Sequence, residues 1–369
     1  MKAEIEKSLT RGCEWLIVQQ ADDGGWHSKT YGQLKDGAAV TALALHTLSL
    51  CSKEIRQQHA GAIERGFAFL DSGIEKRGTL ASPDGSLDFP TYAAALWLSA
   101  VNRLWHPRDS RKVVEYLVGA QVVEARGFDK SSPSYGGWDF LGPDDAKGIT
   151  TGTNISVTRH ALEALAIQRD RNQKGGLSRE ATEALKDPIQ GTGKAYVLRC
   201  QQADGGFAFT CEPASLNNKA AYSESELTKP RSYGTATCDG VLALVACIKA
   251  TAPGGLPDFD KPVTIEDPAI TKALAWLAKR PGLELVPGFE GFPPEAGWDR
   301  GLRFYYYAAL SRVLPLFPLS ERDSRSAALA RHIIGLQQED GRWENESDRM
   351  RENDPLIATA LAVVALANH

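Results

Sequence analysis

The sequence contains no apolar run that would cross a lipid bilayer. Its longest apolar stretch, residues 356–367, is far shorter than the about 20 residues that a transmembrane helix needs. The charged residues 1–7 also lack the apolar core of a signal peptide. These two absences predict a cytoplasmic protein without a transmembrane segment.

Cysteine pairs of the Cys-x-x-Cys type are absent as well. The six cysteines are dispersed along the chain, at positions 13, 51, 200, 211, 238 and 247. A chain of 369 residues can be stabilised by the burial of its own apolar surface and needs no disulfide framework. We therefore expect buried free thiols and a reducing compartment.

The sequence also lacks a large excess of charge of one sign. It has 42 Lys and Arg against 46 Asp and Glu, which gives a formal net charge of −4. Basic residues such as Arg169 and Arg171 are interleaved with acids, so that no basic stripe forms. This pattern excludes nucleic acid as a partner and gives no reason to expect an acidic membrane surface.

What the sequence does contain is a turn that recurs along the chain. A Gln-Gln pair is followed by an acidic residue, by glycine and then by an aromatic residue, which is Trp26, Phe207 or Trp343 in the three clear copies. Glycine adopts the positive φ that ends a helix, and Asp bonds the neighbouring backbone. Each copy therefore predicts the end of one helix and a tight turn towards the next.

The helices on the two sides of this turn differ in character. The helix before the turn, such as residues 2–20, is charged on one side, which is typical of an outer helix. The helix after the turn is small and apolar on nearly every side, as in residues 40–45, 240–246 and 357–366. A helix that is apolar all round is an internal one.

Degenerate copies of the same unit fill the gaps between the three clear ones. Their outer and inner segments are residues 63–70 with 92–97, 113–117 with 155–165, and 270–277 with 304–310. The last inner segment is as apolar as the middle ones, which favours packing against the first pair over an open solenoid with polar caps. The sequence therefore predicts one all-α domain over residues 1–369, a closed ring of six outer–inner helix pairs.

These repeats resemble those of the terpenoid-cyclase and protein-prenyltransferase superfamily, whose α/α toroids carry Gln-and-Trp turns of this form. The resemblance covers about residues 5–368, and residues 231–237, 301–306 and 354–359 are similar to stand-alone bacterial proteins built from prenyltransferase and squalene-cyclase-type repeats. It implies an (α/α)6 toroid with a central pocket for an apolar or isoprenoid-like small molecule. A fold does not by itself define a reaction.

The residues that the superfamily's reactions require are missing. There is no Asp-x-Asp-Asp motif, and we interpret Asp144-Asp145 and the loop acids Asp258 and Asp260 as solvated turn residues. A prenyltransferase-like zinc site would pair Cys238 with an acid two residues earlier, where this chain has Ala236. The final inner helix has no His, so three zinc ligands cannot be assembled. We therefore expect no metal and no cofactor.

Charged side chains on the inner helices identify a candidate site. Because unpaired burial of charge is costly, each must reach a partner, the lumen or a mouth of the barrel. Asp239 is the candidate catalytic acid, although an acid near a helix start can simply favour the helix dipole. Arg159 and Glu163 are four apart and can form an intrahelical ion pair. The candidate ligand-binding residues are Arg159, His160, Tyr233, Arg303, Tyr305, Tyr306 and Asp354.

Aromatic residues on the fifth inner helix add to this hypothesis. In the run 303–307, successive rings cannot all face the outer helix, so that one or two should point to the lumen. There they would suit an isoprenoid or stabilise a carbocation, and the alternative is that they fill a smaller core. The sharpest hypothesis is acid-initiated isoprenoid chemistry with Asp239 as proton donor. Two alternatives stay open: a binding or scaffold toroid that lost its catalytic acids, and a carbohydrate-active (α/α)6 enzyme in which Asp239 and Asp354 face each other.

Overall fold

The structure of the protein is a computed structural model. It describes residues 1–77, 79–81, 88–142, 152–175, 179–212, 219–220, 230–252, 255–256, 258–261, 265–291 and 297–369. The acidic pair Asp144-Asp145 lies outside the described residues. Within them, regular structure is helical apart from isolated bridge residues, among which Gln201 and Phe207 form an antiparallel pair. The longest helices of this described part are not apolar enough to cross a membrane.

The α-helices follow one another along the chain with short helices inserted in some of the connections. In order they are α1 (Lys2–Val18), α2 (Ala38–Leu50), α3 (Lys53–Gln58), α4 (Ala60–Arg77), α5 (Pro90–Arg103), α6 (Arg111–Gly119), α7 (Ile155–Lys174), α8 (Arg179–Ala184), α9 (Lys194–Arg199), α10 (Gly234–Lys249), α11 (Pro268–Ala278), α12 (Trp298–Gly301), α13 (Arg303–Val313), α14 (Leu319–Gly335) and α15 (Pro355–Ala367). A π-helical segment, Asp187–Gly193, leads into α9.

Six of these helices form a closed ring in the described part of the chain. Helix α2 packs on α5, α5 on α7, α7 on α10, α10 on α13, α13 on α15, and α15 packs back on α2. Helices α1, α4, α6, α9, α11 and α14 lie outside this ring, and α1 packs against α15. The predicted all-α (α/α)6 toroid is confirmed, and so is the expectation that the last inner helix packs against the first pair.

In four of the six pairs, the repeated turn ties the outer helix to the inner helix that follows it. The aromatic residue of the turn is fully buried, and its backbone N–H donates to a Thr hydroxyl on the inner helix. The pairs are Trp26 with Thr41 at 2.8 Å, and Trp138 with Thr158, Phe207 with Thr237 and Trp343 with Thr359, each at 3.0 Å. In the Trp copies, the indole N–H also donates to a carbonyl in the last turn of the outer helix, where carbonyls lack the helical N–H partner four residues on.

A glutamine six residues before the aromatic joins consecutive units of the ring. Its side-chain nitrogen donates to a glycine carbonyl in its own turn and to a carbonyl of the next outer helix. These carbonyl pairs are Gly24 and Ala62 for Gln20, Gly205 and Ala269 for Gln201, and Gly341 and Ser8 for Gln337. Because Ser8 belongs to α1, Gln337 closes the ring between the two ends of the chain.

We expect Gln337→Ala to destabilise the fold by about 2 to 3 kcal/mol, at roughly 1 kcal/mol for each net hydrogen bond lost. The side chain donates to Ser8 O at 2.9 Å and to Gly341 O at 2.8 Å, and accepts from Ser8 Oγ at 2.8 Å. Urea unfolding measures the change. Gln338→Ala is the matched control, because Gln338 holds the turn through its backbone N–H to Arg342 O at 2.9 Å. Equal effects of the two substitutions would contradict this role.

Candidate functional site

The N-terminal ends of the inner helices converge on a cavity of about 230 Å³, called here the apolar cavity. It is lined by the first turns of α2, α5, α7, α10, α13 and α15, and most of its wall is apolar. The rings in this wall belong to Phe89, Tyr92, Phe140, Phe209, Tyr233 and Tyr305. A concave, largely apolar wall with a few polar groups is typical of a small-molecule site.

Asp239 lies in the wall of this cavity, on the second turn of α10, with its side chain 2% exposed. The Tyr305 hydroxyl donates to its carboxylate at 3.0 Å. A chain of hydroxyls leads to that contact, because Tyr92 donates to Ser156 at 2.7 Å and Ser156 lies 2.5 Å from Tyr305. The cavity therefore presents one carboxyl group at the end of a hydrogen-bonded chain.

Burial raises the pKa of Asp239 to about 6, against the opposing effects of the Arg159 charge and the Tyr305 hydrogen bond. The Arg159 Nε atom lies 3.8 Å from the carboxylate. Both the protonated and the ionised form of Asp239 are therefore populated near neutral pH. Such a pKa suits a group that gives and takes protons.

His160 also lines the apolar cavity, beside the same tyrosine. Its Nε2 atom lies 3.4 Å from the Tyr305 hydroxyl and 2.7 Å from Arg159 Nη1. Burial and the positive charge of Arg159 lower the pKa of His160 well below its ordinary value. The ring is therefore neutral at neutral pH.

Arg159 lies behind the cavity wall and contacts the acid Glu163 as well as Asp239. Its Nε atom is 3.5 Å from Glu163, four residues along α7, so the predicted intrahelical pair is present. Glu163 is also bound by Arg103 and by Arg312, each at 2.5 Å. The sequence spacing within one helix gave no sign of these two long-range partners.

The cavity wall also contains ionisable residues that were not found from the sequence, and Glu352 and Lys219 are two of them. Glu352 accepts from the backbone N–H groups of Phe304 and Tyr305 at 2.9 and 2.8 Å, and burial raises its pKa to about 7. Lys219 lies with its Nζ atom 3.4 Å from the centre of the Phe209 ring, and burial lowers its pKa to about 7. Both lie in connecting segments without helical periodicity, so no sequence signal pointed to them.

The structure separates the predicted site residues into two groups. Asp239, His160, Tyr233 and Tyr305 meet in the cavity wall, with Arg159 behind them.

The remaining three predicted residues make contacts elsewhere. Arg303 pairs with Glu346 at 2.5 Å, and Tyr306 is buried beside Tyr307. Asp354 caps α15 by accepting from the N–H of Leu356 at 2.9 Å. Among the described residues, no three His, Cys, Asp or Glu side chains are grouped as metal ligands.

Solved structures share this fold, whereas no protein-family model and no curated protein sequence matches the chain. The type II terpene cyclase MstE from Scytonema, in complex with geranylgeranyl dihydroxybenzoate, is 15% identical, with a TM-score of 0.57 over 99% of this chain and 97% of that one. The GH76A α-1,6-mannanase from Salegentibacter is 14% identical, with a TM-score of 0.56 over 100% and 98%. A family 76 mannosidase from Bacteroides thetaiotaomicron is 12% identical, with a TM-score of 0.53 over 99% and 97%.

The protein therefore belongs to the structural class of α/α toroids that includes a type II terpene cyclase and the family 76 mannanases. The resemblance seen in the sequence is confirmed at the level of the fold. Identities of 12% to 15% carry no information on the reaction. The chemistry must be argued from this chain's own cavity.

The raised pKa of Asp239 makes a prediction for stability. The native state holds this proton more tightly than the unfolded chain, so the contribution of Asp239 is largest at low pH and is lost as pH rises through about 6. We expect Asp239→Asn to remove that loss. The free energy of unfolding of the variant minus that of wild type should therefore increase from about pH 4 to about pH 7, because only wild type loses stability over this range. The increase should be up to about 3 kcal/mol, at roughly 1.4 kcal/mol per pKa unit.

Urea unfolding at a series of pH values measures this difference, with Asp22→Asn, at an exposed position, as the control. A difference between Asp239→Asn and wild type that does not change with pH would show that Asp239 titrates normally.

Proposed function

We propose that the apolar cavity binds an isoprenoid-like small molecule and that Asp239 is the proton donor to it. The observation that supports this most directly is a carboxyl group with a raised pKa in the wall of an aromatic cavity. The two parts of the proposal, binding and proton transfer, rest on different features and are tested separately.

The wall of the cavity favours an apolar ligand over a sugar. Between the aromatic rings lie five aliphatic side chains, those of Leu34, Val40, Leu43, Leu96 and Leu361. Burying a hydrocarbon chain against them is favourable by about 25 cal/mol per Å² of apolar surface removed from water. A sugar would bring many hydroxyls that each need a hydrogen-bond partner when buried. An isoprenoid brings few polar groups and several double bonds.

The position of Asp239 suits protonation of such a double bond. The carboxylic acid proton adds to one carbon of the double bond, and the neighbouring carbon becomes a carbocation. The carboxylate left behind is stabilised by Arg159 at 3.8 Å and by the hydroxyl of Tyr305 at 3.0 Å.

The rings of the wall would stabilise the organic cation through cation–π contact. Transfer of a proton from that cation back to the Asp239 carboxylate completes the reaction as an isomerisation and regenerates the acid.

We expect wild-type protein to bind farnesol or geranylgeraniol with one site per chain, as measured by native mass spectrometry. Ala39→Phe places a ring into the cavity wall and should weaken binding at least tenfold. Ala60→Phe, at an exposed position, is the matched control and should bind as wild type does. Equal binding by all three proteins would place the ligand outside the cavity.

We expect Asp239→Asn to lower the conversion of an isoprenoid substrate about 100-fold or more, the range of a general acid, while binding is retained. Gas chromatography of the extracted products measures the conversion. Asp354→Asn is the matched control, because Asp354 caps a helix. Binding without conversion by wild type would favour a non-catalytic binding protein, and hydrolysis of an α-1,6-mannan would favour the carbohydrate enzyme.

A further inference from the structure

A second cavity, of about 710 Å³, lies at the C-terminal ends of the inner helices and is called here the polar cavity. Its wall contains the ends of α2, α5, α10, α13 and α15 and the loop residues 258–261. It is about three times as large as the apolar cavity, whose volume is about 230 Å³. Its chemistry is also different, because charged side chains form much of its wall.

The buried charges of this wall are mostly positive. Arg103, Arg312 and Lys249 are buried or nearly so, and Glu163 is the buried acid among them. Arg159 lies behind them at 3.5 Å from Glu163, and its charge is shared with Asp239 at 3.8 Å. Glu163 neutralises one of these charges at most, which leaves a surplus of positive charge in a region of low dielectric.

Two acids at the rim reduce this surplus only in part. Asp260 bonds Arg103 at 2.9 Å, but 43% of its side chain is exposed, so that solvent screens its charge. Asp258 is 47% exposed and lies 3.9 Å from Lys261, which offsets it.

The C-terminal ends of the inner helices offset another part of the surplus positive charge, because helix carbonyls favour cations in the last turn. The arginines nevertheless direct their donors at carboxylates and not at helix-end carbonyls. Arg312 reaches both oxygens of Glu163, at 2.5 and 2.9 Å, and Arg103 bonds Glu163 and Asp260. Helix ends therefore do not explain why three guanidinium groups surround one glutamate.

Lys249 responds to the same surplus. It donates to the carbonyls of Phe259 and Lys261, and an ammonium has one more proton to donate. Burial, with a smaller contribution from the charge of Arg312, lowers the pKa of Lys249 to about 8. A group with negative charge in the cavity would relieve that repulsion.

Arg56 lies in the wall of the same cavity and is half-buried on α3. Among the described residues it has neither an ion pair nor a side-chain hydrogen bond. A guanidinium group has five N–H donors in a planar fork that matches the oxygens of a phosphate or a carboxylate. Arg56 is therefore positioned to bind an oxyanion that enters the cavity.

We propose that the polar cavity is a binding site for an anionic small molecule, held through its phosphate or carboxylate oxygens by Arg56 and by the buried cations around Glu163. The site lies at the end of the ring opposite to the apolar cavity, and the proposal does not depend on the function proposed there. Phosphates and polycarboxylates share the oxyanion chemistry that this wall recognises.

Isothermal titration calorimetry with sodium diphosphate and with sodium citrate, at constant ionic strength in chloride, tests the proposal. We expect saturable binding of at least one of the two anions, and Arg56→Gln should weaken it about tenfold, which corresponds to about 1.4 kcal/mol. Lys53→Gln is the matched control, because it removes one positive charge from an exposed position of the same helix. Circular dichroism shows whether each variant is folded.

The outcomes separate cleanly. Binding of diphosphate or of citrate that is weakened by Arg56→Gln and unchanged by Lys53→Gln supports the site. The anion that binds more tightly shows whether the ligand is a phosphate or a carboxylate. Absence of saturable binding of both anions overturns the proposal. An equal loss in the two variants also overturns it, because the anions would then respond only to the overall charge of the protein.

Discussion

Each turn glutamine donates from one side-chain nitrogen to carbonyls in two successive units of the ring. Gln20, Gln201 and Gln337 share this arrangement, and each lies six residues before a buried aromatic that is itself bonded to an inner-helix threonine. The contacts couple neighbouring helix pairs of the ring. The bond from Gln337 to Ser8 couples the last pair to the first.

The inner helices run in the same direction. The N-terminal ends of all six inner helices line the cavity at one mouth of the ring, and the C-terminal ends of α2, α5, α10, α13 and α15 line the cavity at the other. One mouth encloses the apolar cavity with Asp239, and the other encloses the polar cavity with Glu163. Arg159 lies between these acids, at 3.8 Å from the first and 3.5 Å from the second. Its charge therefore acts on both cavities.

Local patterns were sufficient to predict much of the fold and part of the candidate site. Whether a helix is an outer or an inner one depends on how apolar residues are distributed around it. The turn between the two helices depends on glycine and aspartate within a few residues. For the same reason, inner-helix placement located Asp239, His160 and Tyr305 in the cavity wall. Arg303 lies on an inner helix as well, but it pairs with Glu346, because a residue's helix alone does not determine its rotamer or its partner.

The sequence by itself determined the toroid, because six repeats of an outer and an inner helix can bury their apolar faces only by packing on one another. Only the tertiary structure decided which polar groups share a cavity. Glu163 meets Arg103 from 60 residues away and Arg312 from 149 residues away, and Glu352 reaches the start of α13 from a loop. Contacts over such separations have no period in the sequence, since they depend on where the closed ring brings distant segments together.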